Sequence, residues 1–167
     1  MDYKTELIKK LTNKTARVAV MGMGYVGLPF ATVFANAGFD VTGIDPIKSK
    51  MEMLNKGESY IMDIPTPVVS KLVENGKLRG TSDYSVLKDM DAVAICVPTP
   101  LRQTGDPDLS FIISAAEGIA PYVHAGMVVV LESSTYPGTT RELILPTLTE
   151  KSGLKMGEDI FVAFSPE

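Results

Sequence analysis

Three glycines and one carboxylate carry the first chemistry that the sequence suggests. Gly22, Gly24 and Gly27 stand in the spacing G-x-G-x-x-G, and Asp45 follows Gly27 by 18 positions. A short apolar run, residues 16–21, enters the glycines. A helix-forming run leaves them, and a second apolar run ends on Asp45. Each glycine has a distinct task in such a setting. Gly22 lets the chain turn sharply out of a strand, Gly24 lets a diphosphate approach the backbone, and Gly27 lets a helix pack tightly on the strand. The N–H groups near Tyr25 and Val26, at the positive end of that helix, then face the phosphates. An acid at the distance of Asp45 takes the ribose hydroxyls and repels a 2′-phosphate, so the cofactor read from these residues is NAD rather than NADP. The plainer alternative is a glycine turn that only eases packing, with Asp45 as a solvated charge at a strand end.

Further candidates lie downstream. Lys50 is positioned to bond the ribose or the surroundings of the adenine, or else is a solvated lysine on a helix face. Val97, Pro98 and Thr99 follow an apolar run, 92–97, and the prolines at 98 and 100 force the chain out of the sheet in extended form. Thr99 and its neighbouring carbonyls are thereby expected at the carboxyl end of a parallel strand, where ligands of such sheets bind. His124, the only histidine, reads as a helix-end residue rather than a base, and no His/Cys spacing suits a metal. The only cysteine, Cys96, falls inside a strand, where a thiol is usually inert.

These residues need a scaffold, and the patterning supplies one. Tyr3, Leu7 and Leu11 share one helical face, predicting a short helix over 3–11 that caps the sheet or packs on a partner. Strands are predicted over 17–21, 40–44, 78–81, 92–97, 127–131 and 160–164. Helices are predicted over 25–36 (with Pro29 fixing the start near Tyr25), 47–56, 67–75 with Thr66 as N-cap, 110–123 capped by Asp106 or Asp108, and 139–152 with a bend at Pro146. A weak helical turn covers 83–89, and Asp89 and Asp91 beside it read as plain surface acids. The alternation predicts an α/β fold, a Rossmann-like doubly wound parallel sheet of about six strands. Residues 1–15 form an extension and 16–167 one cofactor-binding domain.

Composition narrows the partners. The net charge is −4 and lysines and arginines form no cluster, which argues against nucleic acid. The apolar runs are far shorter than the ~20 residues that span a bilayer, and the start of the chain has no signal-peptide pattern. One cysteine excludes an internal disulfide, so the expected compartment is the cytoplasm.

Read as a whole, the sequence resembles the N-terminal, NAD-binding domain of the UDP-glucose/GDP-mannose dehydrogenases. The resemblance rests on Gly22-Met23-Gly24-Tyr25-Val26-Gly27-Leu28-Pro29, Gly43-Ile44-Asp45, Cys96-Val97-Pro98-Thr99-Pro100-Leu101, Asp106-Pro107-Asp108-Leu109-Ser110, Glu132-Ser133-Ser134-Thr135-Tyr136-Pro137-Gly138-Thr139-Thr140 and Phe164-Ser165-Pro166-Glu167. Two of these segments look most like the branch that oxidises UDP-N-acetylhexosamines, such as UDP-N-acetylglucosamine 6-dehydrogenase. The resemblance implies oxidation of a sugar C6 alcohol to a carboxylate in two steps, each consuming one NAD, through a thioester on a cysteine. It also implies that Thr135 helps hold a catalytic water near the nicotinamide and that Glu167 assists thioester hydrolysis. The family's cysteine, its dimer helix and its UDP-sugar domain lie downstream of the segment matched here. The expectation is therefore a fragment that binds NAD without turnover, from a homo-oligomeric enzyme whose partner is a UDP-sugar. A free-standing NAD-sensing module is the rival reading.

Overall fold

A computed structural model describes residues 2–103 and 105–165. Six parallel strands form one sheet: β1 (Arg17–Met21), β2 (Asp40–Ile44), β3 (Leu78–Thr81), β4 (Ala92–Ile95), β5 (Val128–Leu131) and β6 (Phe161–Phe164). Their order is β3-β2-β1-β4-β5-β6, so the winding reverses between β1 and β4. The helices are α1 (Tyr3–Thr12), α2 (Gly27–Asn36), α3 (Lys48–Asn55), α4 (Thr66–Glu74), α5 (Ser110–Ile119) and α6 (Leu145–Thr149), with 3₁₀ turns at Tyr84–Asp89 and Ala120–Tyr122.

Alternation along the strands fills two cores. Val18, Val20 and Val41 face one side, where Leu28 and Ala31 of α2, Met51 and Leu54 of α3 and Val69 and Leu72 of α4 cover them. Ala19, Met21, Ile44, Val93 and Ile95 face the other, against Ile112 and Ile119 of α5, Ile144, and Leu148 of α6. A sheet covered on both faces explains why the strands read as near-continuous apolar runs. It is the doubly wound α/β arrangement that the alternation of elements predicts.

Several expected boundaries shift, each for a local reason. The helix after the glycines begins at Gly27 rather than Tyr25, because residues 24–26 form a turn and the first helical bond runs from the Leu28 N–H to the Gly24 carbonyl at 3.1 Å. Pro29 sits third in α2, within the first turn, where a missing backbone N–H costs least. β4 stops at Ile95, since after the Cys96 N–H bonds the Met21 carbonyl (2.8 Å) the chain departs toward Pro98. Thr66 opens α4 with Pro65 ahead of it, and its hydroxyl accepts from Ser59 N–H instead of capping. Pro121 places the end of the 110–123 run in a 3₁₀ turn. Pro146, lacking an N–H, is preceded by a widened π turn over Thr140–Ile144 in place of a simple bend.

Asp91 is not a plain surface acid. It accepts from the Lys10 ammonium at 2.7 Å and from the Arg17 backbone N–H at 2.8 Å, tying α1 to the amino ends of β1 and β4. With Leu7 buried, this side of α1 caps the sheet. His124 lies at the same end, remote from the glycines, its ring nitrogens each 3.0 Å from a carbonyl oxygen, of Met90 and of Ala125.

Candidate cofactor site

The reversal of winding opens a crevice at the carboxyl ends of β1 and β4, and the glycine turn lies at its mouth. Gly22 has a φ of +87°, and a Cβ there would sit 2.7 Å from the Cys96 carbonyl oxygen. A Cβ on Gly27 would run into the Gly22 carbonyl. Both glycines are therefore required by the backbone itself. Gly24 differs: a Cβ there would meet nothing within 4 Å. The space before its backbone is open, as the approach of a diphosphate demands. The N–H groups of Tyr25, Val26 and Gly27 precede Leu28, the first donor bonded back within the helix. Tyr25 is exposed, and α2 carries no acidic residue in its first turn to compete for an anion.

Asp45 does more than wait for a ribose. It is 5% exposed. One carboxylate oxygen accepts from the Met23 N–H at 3.0 Å and the other from the Ile47 N–H at 3.0 Å. The ammonium of Lys50 stands 3.7 Å from the first of these oxygens. A carboxylate offers about four lone-pair sites, so acceptor capacity is left for a diol. Met23, between the first two glycines, is held at both backbone atoms: its carbonyl accepts from the Tyr60 hydroxyl at 2.9 Å. Its side chain is fully buried beneath β2, where a Cβ on Gly43 would come within 2.5 Å of the methionine methyl. Burial and the negative charge of Asp45 both push the Tyr60 phenol far above its usual range, so it remains a donor.

Across the crevice, a cavity of about 170 Å³ is lined by Val26, Cys96, Val97, Pro98, Thr99, Glu132, Ser133 and Ser134. The fold thus brings Val26, Val97, Pro98 and Thr99 together around one cavity. Cys96 is buried there, 6% exposed, one residue beyond β4. The Ser133 hydroxyl bonds the Val97 carbonyl at 2.6 Å and so fixes the exit of β4 against that of β5.

Thr135 stands apart from this lining. Its hydroxyl lies 2.9 Å from that of Thr139, which in turn donates to the Tyr136 carbonyl at 3.0 Å. Thr139 has one proton, so Thr135 is the donor between them, and its oxygen keeps lone pairs for a water. Glu167 lies outside the described residues. The glycine spacing does not reveal Tyr60 or Ser133, because both act on backbone atoms brought near only by the fold. Glu132-Ser133-Ser134 was visible as part of a motif, but without roles.

Comparison with known proteins gives this geometry its context. The sequence model for the UDP-glucose/GDP-mannose dehydrogenase family, NAD binding domain, matches residues 16–167. UDP-N-acetyl-D-mannosamine dehydrogenase of Pyrococcus horikoshii is 38% identical over 157 residues, covering 90% of this chain and 36% of the relative. UDP-N-acetyl-D-glucosamine 6-dehydrogenase of Pseudomonas aeruginosa is 34% identical over 154 residues, covering 92% and 36%. The crystal structure of a ternary complex of GDP-mannose dehydrogenase from Pseudomonas aeruginosa superposes with a TM-score of 0.85 at 32% identity, over 90% of this chain and 36% of that one. The chain spans about a third of the length of these relatives. A glycine turn whose one open face is Gly24, a buried acid at the end of β2 and a crevice at the reversal of winding are what a dinucleotide requires, and the chain belongs to the UDP-glucose/GDP-mannose dehydrogenase family, as its NAD-binding domain.

Proposed function

We propose that these residues form the cofactor half of a nucleotide-sugar 6-dehydrogenase. The diphosphate of NAD meets the backbone at Gly22, Gly24, Tyr25, Val26 and Gly27. Asp45 takes the adenosine ribose, with Lys50 beside it. The nicotinamide half extends over β4 and β5, toward Val97, Pro98, Thr99 and the hydroxyl of Thr135. The observation that carries this reading is the pairing of an open Gly24 with a buried Asp45, whose carboxylate reaches from the end of β2 to the Met23 N–H in the glycine turn. Direct titration tests it: NADH fluorescence should rise on binding at concentrations where NADPH gives little response. Equal affinity for the two would remove the selecting role from Asp45.

For the whole enzyme we propose oxidation of a sugar C6 alcohol to the uronic acid, with NAD as the two-electron oxidant of both steps. The substrate class is a UDP-N-acetylhexosamine or UDP-glucose. The names of two relatives at 34–38% identity, acting on UDP-N-acetyl sugars, support the first. Thr135 orients a water and Glu167 takes its proton. Residues 1–167 alone bind NAD without turning over a sugar, since a thioester route needs an accessible thiolate and Cys96 is buried. Activity of the full-length protein on a panel of UDP-sugars is the deciding assay. The full-length protein is read as a homo-oligomer of the cytoplasm on the family resemblance and on cysteine usage. Among the described residues no helix is long and apolar enough to cross a membrane.

A further inference from the structure

We propose that Tyr60 is a positioning residue of the cofactor site, aiming the Gly24 N–H at the diphosphate through the carbonyl of Met23. The inference rests on the NAD-binding reading above and deepens it.

Two consecutive peptide planes make up the first half of the glycine turn. The Gly22–Met23 plane is held by the Met23 N–H, which donates to Asp45 at 3.0 Å. The Met23–Gly24 plane is held by the Met23 carbonyl, which accepts from Tyr60 at 2.9 Å. A trans peptide is planar, with its C=O and N–H pointing to opposite sides. Fixing the carbonyl toward Tyr60 therefore fixes the Gly24 N–H in the opposite direction. That plane borders the one glycine of the turn with open space before its backbone. Without the phenol, this plane would depend on the two soft torsions of Met23 and the glycine after it. Glycine has the broadest choice of these, so the turn would lose its preset direction beside the open face of Gly24.

Tyr60 is suited to this task and to little else nearby. It comes from the segment between α3 and α4, 37 positions from its acceptor in sequence. Its ring packs against the core beneath β1 and β2, so the hydroxyl is delivered by a rigid body. It is not a ligand in this proposal: it acts on the cofactor only through Met23. The neighbouring carboxylate of Asp45 gives it a further reason to remain protonated and donating.

The experiment compares wild type with Tyr60→Phe, which keeps the ring and removes only the donor. Affinities for NAD, ADP-ribose and adenosine are measured by calorimetry or amide-shift titration, with thermal unfolding followed in parallel. Loss of one preset donor should weaken NAD and ADP-ribose about five- to tenfold. Adenosine, which lacks the diphosphate, should bind as before. The amide resonance of Gly24 should move or broaden in the free Tyr60→Phe protein while those of β3 stay in place. Equal weakening of all three ligands would mean that Tyr60 merely supports the fold, and unchanged NAD affinity would mean that it does nothing for the turn. Either result overturns the proposal. If wild type itself fails to bind NAD, the underlying reading fails instead, so the two failures are distinguishable.

Discussion

Replacing Asp45 by Asn should damage the fold and the cofactor site together, and the two losses can be measured apart. The carboxylate is 5% exposed and accepts one backbone N–H on each oxygen. An amide keeps one acceptor and turns a donor toward the other N–H, of Met23 or of Ile47. One hydrogen bond to a buried charge is lost and two donors are left facing each other, a cost of about 2–3 kcal/mol. With a urea slope of roughly 1–3 kcal/mol/M for a domain of this size, the unfolding midpoint should fall by about 1 M. NAD affinity should fall roughly 10- to 100-fold, because the ribose loses a charged acceptor and the turn loses its anchor. NADPH should gain nothing comparable, since the amide holds only one of the two backbone N–H groups, of Met23 and of Ile47, that the carboxylate holds together. Lys50→Met is the control. Its ammonium is 3.7 Å from the carboxylate and its side chain is 32% exposed, so stability should change by less than about 0.5 kcal/mol. An unchanged urea midpoint for Asp45→Asn would refute the anchoring argument. Strong new NADPH binding would refute the claim that charge and loop support reside in one side chain.

Other outcomes follow from the same structure. Gly24→Ala should leave the unfolding midpoint nearly intact, because its Cβ meets nothing within 4 Å, yet weaken NAD more than about tenfold by filling the approach to the backbone. Gly22→Ala should instead cost more than about 3 kcal/mol, since it combines a φ of +87° with a contact of 2.7 Å to the Cys96 carbonyl, and chemical unfolding would show it. Asp91→Ala should release α1 and lower the thermal midpoint, with hydrogen exchange rising first in residues 3–12. The Ser85 backbone N–H and hydroxyl hold the carboxyl of Asp83 below its ordinary 3.8. The Ser110 backbone N–H, then the Arg102 guanidinium, do the same for Asp108. Depressed values mean stabilisation that is full above about pH 4 and fades as pH falls through them. The stability gap between wild type and Asp108→Asn should thus close on acidification, and a gap that widened there would contradict the assignment.

Much of the architecture was legible because strand and helix periods differ so plainly here. Strands 17–21, 40–44 and 78–81 were each bounded by punctuating residues, and their observed limits match. Where limits moved, proline or glycine chemistry competed with periodicity. Pro146 shows this: the pattern indicates a helix and a bend, but a widened turn ahead of it also accommodates a missing N–H, and only tertiary packing of Ile144 and Leu148 chooses between them. The site was legible where side-chain type and spacing encode function, at Gly22, Gly24, Gly27 and Asp45. It was illegible where a side chain serves a distant backbone atom. Asp91 looked like any surface acid because its partners, Lys10 and the Arg17 N–H, are more than 70 positions away.

Met23 and Gly43 show how such distant dependence constrains exchange of residues. The thioether fills the volume that a side chain on Gly43 would take, with a virtual Cβ 2.5 Å from its methyl. A bare residue inside a central strand ordinarily weakens it; here the sulfur side chain substitutes for the missing one. The two positions therefore form a single packing choice split across two strand ends. Alanine at 43 calls for a shorter residue at 23, and a protein library that varied either position alone would recover mostly the pair it started from.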